Sequence, residues 1–105
     1  MTIKSRRERL EEMLAAEPTD AFLRYGLAMD YASGGDDAAA AKCFAELLRL
    51  SPDYVAAYLQ AGQVLVRLGR DDEARGVYEA GVKVAQRAGD AHAAGELQGF
   101  MDMLT

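Results

Sequence analysis

Apolar residues recur along this chain at the three-to-four-residue spacing of a single helical face, in six stretches separated by turn-forming residues. The first, from about Thr2 to Ala15, places Ile3, Leu10, Met13 and Leu14 on one stripe and stops before Pro18. The second starts after Thr19-Asp20, which suit an N-cap, and carries Phe22, Leu23, Leu27 and Tyr31 to a stop at Ser33-Gly34-Gly35. The third opens on Asp36-Asp37, acids that favour the positive end of a helix dipole, and continues to Leu50. Ser51-Pro52-Asp53 separates it from the fourth, which ends at Gly69. The fifth opens at Asp71-Asp72-Glu73 and ends near Ala88-Gly89. The sixth is capped by Asp90 and reaches Leu104. No strand-type alternation appears, so the predicted class is all-α.

The punctuation repeats. At one constant interval Pro18 maps onto Pro52, Gly35 onto Gly69, Asp37 onto Asp71 and Ala40 onto Ala74. Phe44 falls on Tyr78, Leu48 on Val82 and Leu50 on Val84. Self-similarity of this kind means that each unit is a supersecondary element that buries its apolar face by stacking on a neighbour. Leu27-Ala28 and Ala61-Gly62 put a tiny side chain mid-helix, where a partner helix approaches closely. Ala40 and Ala74 do the same on the partner, each followed four residues later by Phe44 or Tyr78. Small-against-large interlocking sets an antiparallel helix pair in one register.

These units resemble tetratricopeptide repeats, whose pattern is W-x2-L-G-x2-Y, A-x3-F, then P over about 34 residues. The first unit reads Arg24-x2-Leu27-Ala28-x2-Tyr31, Ala40-x3-Phe44, Pro52. The second reads Tyr58-x2-Ala61-Gly62-x2-Leu65, Ala74-x3-Tyr78, with Gln86 in the place of Pro. Arg24 and Gln86 are the departures. The resemblance implies a right-handed α-solenoid of antiparallel helix pairs, one domain over 1–105. It divides into an N-terminal capping helix (1–17), a first repeat (18–51), a second with an extended second helix (52–88), and a C-terminal capping helix (89–105).

The end helices are expected to depart from the pattern, because they close an open stack. Arg6 stands where Ala40 stands in the next unit, a place with no earlier helix to press on it. In the last helix a strict interval turns Glu96, Gln98 and Asp102 toward the core. Without the proline the fifth helix runs longer, so a two-residue shift makes Ala93, Ala94, Leu97, Phe100, Met101 and Leu104 the buried stripe.

The resemblance implies a concave groove lined by the first helix of each unit and open to a peptide or helix of another protein. Carried over residue by residue, that groove takes Phe22, Tyr25, Met29 and Ser33 from the first unit. The second supplies Ala56, Leu59, Gln63, Val66 and Arg67, and the last helix His92, Gly95, Gly99 and Met103. Gln60, Gln63 and Arg67 give it polar edges. Met and Tyr suit helix-in-groove recognition, so the expected partner is an apolar or amphipathic segment. The alternative is that the terminal helices fold over these residues. Some family members clamp acidic chaperone tails with Lys and Asn; Tyr25, Met29, Leu59 and Gln63 occupy those places, and the cations are absent. The expected state is a monomer or weak homo-oligomer; the second reading is a self-associating scaffold, copies stacking head to tail through their end helices, which Arg6 and Gln98 in the seam oppose.

Composition trims these choices. The chain has 105 residues, half of them apolar, and a net charge of −5, which argues against nonspecific nucleic-acid binding. The start shows no apolar run of a leader or membrane span, and the lone Cys43 forms no intrachain disulfide, so the expected compartment is the cytoplasm. Lys4, Arg6, Arg7 and Arg9 are interleaved with Glu8, Glu11 and Glu12, which predicts local pairs Lys4–Glu8 and Arg7–Glu11. Cys43 and His92 make no defensible dyad, and neither metal-ligand spacing, a phosphate-cradling loop nor a nucleophile elbow is present. The expectation is a non-enzyme without cofactor or metal.

Overall fold

The computed structural model describes residues 3–104; Thr2, where the first helix was expected to begin, lies outside them. The described residues form six helices and no strand: α1 (Arg6–Ala16), α2 (Ala21–Ser33), α3 (Asp37–Leu50), α4 (Val55–Arg67), α5 (Asp71–Arg87) and α6 (Ala91–Asp102). Ser5, Asp20, Asp36 and Asp90 cap four of them, each side chain accepting the backbone N–H three residues on, at 3.0–3.1 Å.

Two kinds of turn join the helices, and the residues explain which is used where. After α2, α4 and α5 a glycine sits at positive φ: Gly35 at 82°, Gly69 at 75° and Gly89 at 73°. The next residue's N–H then reaches back to a carbonyl of the last turn, as Asp36 does to Tyr31, Arg70 to Leu65 and Asp90 to Ala85. After α1 and α3 the chain leaves instead through Pro18 and Pro52, which cannot continue a helix. With Gln86 in place of a proline, α5 runs on for 17 residues against 14 in α3, and it ends on the glycine turn.

Consecutive helices pack on one another, and α2, α4 and α6 also touch, forming an inner layer with α1, α3 and α5 outside. The result is elongated, 50 × 28 × 20 Å. Its apolar core is strung along the long axis in three clusters. Leu10, Leu14 and Leu27 join α1 to α2. Ala28, Ala40, Phe44 and Ala61 join the two repeats. Tyr58, Tyr78, Ala85 and Leu97 seat α6. Leu27 and Ala61 are both buried, as are Ala28 and Gly62, so the small residues hold equivalent seats in the two units. A Cβ on Gly62 would stand 2.1 Å from Tyr78 Cε1, so α4 and α5 meet at a distance only glycine permits.

The departure at Arg24 has a physical account. Arg24 Nη2 donates to the Pro18 carbonyl at 2.7 Å, and the Tyr58 hydroxyl donates to the Pro52 carbonyl. Arg24 and Tyr58 are repeat equivalents, as are the two prolines, so unlike side chains tie down the same turn.

Several expectations are corrected. Ile3 precedes α1 and is 88% exposed, and Met13 is also exposed, because α1 reaches its neighbour through Leu10 and Leu14. Lys4 pairs with Glu12 rather than Glu8. Arg7 pairs with Asp30 of α2 at 3.0 Å rather than with Glu11, and lies 4.0 Å above the Tyr31 ring. Glu11 instead accepts from the Tyr31 hydroxyl at 3.2 Å. α6 ends at Asp102, short of Leu104, yet Leu104 still packs against the α4–α6 core. The shifted register of α6 holds: Ala94 and Leu97 are buried, and Ala93, Phe100 and Met101 are half-buried.

Candidate functional site

The inner layer positions the expected groove residues, and packing divides them. Tyr25 on α2 is half-buried, its ring 5.3 Å from that of Tyr54 and 6.1 Å, edge-on, from Phe44. Burial, then the neighbouring Tyr54, pushes its hydroxyl above the usual tyrosine range. Tyr25 is therefore a fixed wall. Met29 is half-buried against the cluster that contains Phe44, and Ser33 donates to the Met29 carbonyl of its own helix at 2.8 Å. Phe22, at the start of the same helix, is 74% exposed.

Two cavities open along the seam between α4 and α6, one at each end. The first, about 440 Å³, is lined by Tyr25, Ala56, Leu59, Gln60, His92 and Glu96, with Asp90 at its edge. The second, about 480 Å³, is lined by Gln63, Val66, Arg67, Tyr78, Phe100 and Met103. Its floor is an aromatic pair, Tyr78 and Phe100, with centroids 6.2 Å apart and planes 28° from parallel. Val66 and Met103 stand at its mouth, Met103 being 75% exposed. Tyr25, Leu59 and His92 thus meet at one end and Gln63, Val66, Arg67 and Met103 at the other, while Phe22 and Met29 line neither cavity. Gly95 and Gly99 lie on α6 between His92 and Met103, and a Cβ on either would meet nothing within 4 Å.

Charge is placed unevenly. The Arg67 guanidinium is chelated by Asp37 of α3, Nε and Nη2 donating to its carboxylate at 2.9–3.2 Å, which holds the Asp37 carboxyl below its ordinary value. His92 Nε2 lies 3.4 Å from Glu96 Oε1, an ion pair only when the imidazole is protonated. Cys43 belongs to the opposite end of the molecule, packed with α1 and α2, and burial pushes its thiol up. Among the described residues no group of three or more His, Cys, Asp or Glu side chains is placed to hold a metal ion.

Sequence reasoning took Tyr78 and Phe100 for core alone and Asp90 for a helix cap alone. It turned Glu96 away from the core without assigning it to the groove. The spacing of Glu96 four residues beyond His92 was the available signal for that member of the site. For the floor there was none, because Tyr78 and Phe100 meet only when α5 and α6 pack.

The model of the tetratricopeptide repeat family matches residues 31–96. The chain is similar to the TPR repeat-containing protein PA0015 of Pseudomonas aeruginosa, 33% identical over 97 residues that cover 92% of each protein. Among solved structures, that of protein BPP2914 from Bordetella parapertussis superposes with a TM-score of 0.82 at 33% identity, covering 97% of this chain and 89% of that one. A tetratricopeptide repeat domain protein from Salinibacter ruber gives 0.75 at 36% identity, covering 80% and 85%.

Proposed function

The chain belongs to the tetratricopeptide repeat family, whose members are in general non-catalytic protein-interaction modules, and from that premise we propose that it is a small adaptor holding a peptide or helical segment of another protein in its inner groove. The observation that supports this reading best is the pair of cavities on the inner layer, the second bordered by exposed Val66 and Met103. Leaving a side chain such as Val or Met in water forgoes about 1.5–3 kcal/mol of burial, which a docked partner recovers. The end helices pack elsewhere: α1 lies on Leu23, Leu27 and Tyr31, and α6 contributes one wall of both cavities rather than a cover. No helix among the described residues is long and apolar enough to cross a membrane. The compartment we assign is the cytoplasm, on the strength of the single thiol.

Affinity capture from the native lysate tests the reading. Leu59→Glu and Val66→Glu each place a charge in the lining of one cavity, the first and the second respectively. Both variants should lose the captured protein with helical content unchanged. Capture profiles identical to the unmodified protein for both would remove the groove from consideration.

A further inference from the structure

The charges of the inner layer carry the groove reading further. Arg24 and Arg67 are the basic side chains of α2 and α4, and both are committed: Arg24 to the Pro18 carbonyl, Arg67 to Asp37. From Asp90 to Leu104 the chain contains Asp90, Glu96 and Asp102 and no Lys or Arg. Asp90 caps α6 through Oδ1 alone, leaving its second oxygen free of a backbone partner. His92, whose side chain is 88% exposed, lies beside Glu96. One end of the seam is therefore acidic, with Asp90 and Glu96 beside the apolar wall of Tyr25 and Leu59. The other end has a stacked aromatic floor under exposed Val66 and Met103.

We propose that the groove binds its partner in one polarity: a Lys or Arg over Asp90 and Glu96, and a large apolar side chain over Tyr78, Phe100 and Met103. The proposal rests on the groove reading above and adds the chemistry of the occupant and which of its side chains meets which end. Leu59 and Val66, one at each cavity, are two turns apart on α4, a rise of about 10 Å. A partner helix matches that span with its basic and apolar residues about seven positions apart, and an extended segment with them about three apart. Gly95 and Gly99 lie along the same stretch of α6 with open space in front of them, so a backbone can pass close there.

The test is fluorescence anisotropy with two labelled synthetic amphipathic helical peptides: one with Arg two turns before Leu, and one with Glu in place of that Arg. The Arg-then-Leu peptide should bind roughly 3- to 10-fold tighter than the Glu peptide at low salt, the range of two partly exposed charge pairs, and the gap should narrow as salt is added. The double variant Asp90→Asn, Glu96→Gln, which keeps a capping side chain, should erase that preference with helical content intact. Equal binding of the Arg and Glu peptides, both lost in Leu59→Glu, overturns the polarity and leaves the groove standing. A preference that survives the double variant overturns the assignment of the acids. Binding of no peptide, or binding indifferent to Leu59→Glu, overturns the groove reading and this one together.

Discussion

Adding a methyl group at position 62 probes the contact that sets how closely α4 and α5 approach, and with it the floor of the second cavity. In Gly62→Ala the new Cβ lies 2.1 Å from Tyr78 Cε1 and 2.5 Å from Cζ. Carbon atoms pack at about 3.5–4.0 Å, so the ring must retreat by roughly 1.5 Å. Tyr78 is 1% exposed and backed by Phe100, so the ring has little space to move into. Overpacking of this kind costs about 1–3 kcal/mol, against a gain of about 1 kcal/mol from replacing a helical glycine. Gly99→Ala supplies the control, since it brings the same propensity gain with no atom within 4 Å. Thermal unfolding followed by circular dichroism should place Gly99→Ala above the unmodified protein. Gly62→Ala should fall below Gly99→Ala by about 4–24 °C, given about 4–8 °C per kcal/mol for a domain of this size. A Gly62→Ala midpoint at or above that of Gly99→Ala would refute the close approach. Adding Tyr78→Leu to Gly62→Ala should recover part of the loss, because the two positions are in contact and their effects are coupled.

Two further predictions concern contacts between helices. Arg7→Ala removes the ion pair to Asp30 and the stacking on Tyr31, together worth about 1–2 kcal/mol; hydrogen exchange should show α1 amides opening faster while α4 to α6 keep their protection, and unchanged α1 protection would show that the contact holds nothing. The Arg67 pair depresses the Asp37 pKa, so its stabilisation is fully present above the ordinary aspartate value near 4 and is lost as pH falls through the lower folded-state value. Partly exposed, the pair is worth up to about 1 kcal/mol, so the stability gap between the unmodified protein and Asp37→Asn should be constant above about pH 5 and shrink in acid; a gap that widened in acid would contradict the assignment.

Much of the architecture follows from local and periodic features. Asp20, Asp36 and Asp90 cap helices, and Gly35, Gly69 and Gly89 close them, because those roles need only a side-chain oxygen or a positive φ at one position. Ala28, Ala40, Gly62 and Ala74 are legible as close-approach sites because the interval repeats them. Gly81 is not legible as one, although a Cβ there would lie 2.6 Å from Tyr58 Cβ, because its repeat equivalent, Leu47, is not small. The groove was legible as a set of helix positions, since a helical face is a matter of spacing. Its division into an acidic and an aromatic end was not: Tyr78 comes from α5, and the ends are told apart by how α4 crosses α6.

The residue order of this chain dictates six helices and their stops, which depend on neighbours a few positions away along one helix, and also the repeat interval and the register of α6, which come from setting one unit against the next. Pairings such as Arg7 with Asp30, Arg67 with Asp37, and Arg24 or Tyr58 with a turn carbonyl were decided only by packing. Long side chains have several partners within reach along their own helix. Which one they take depends on how far apart neighbouring helices settle, a distance set by the buried small residues of the whole stack.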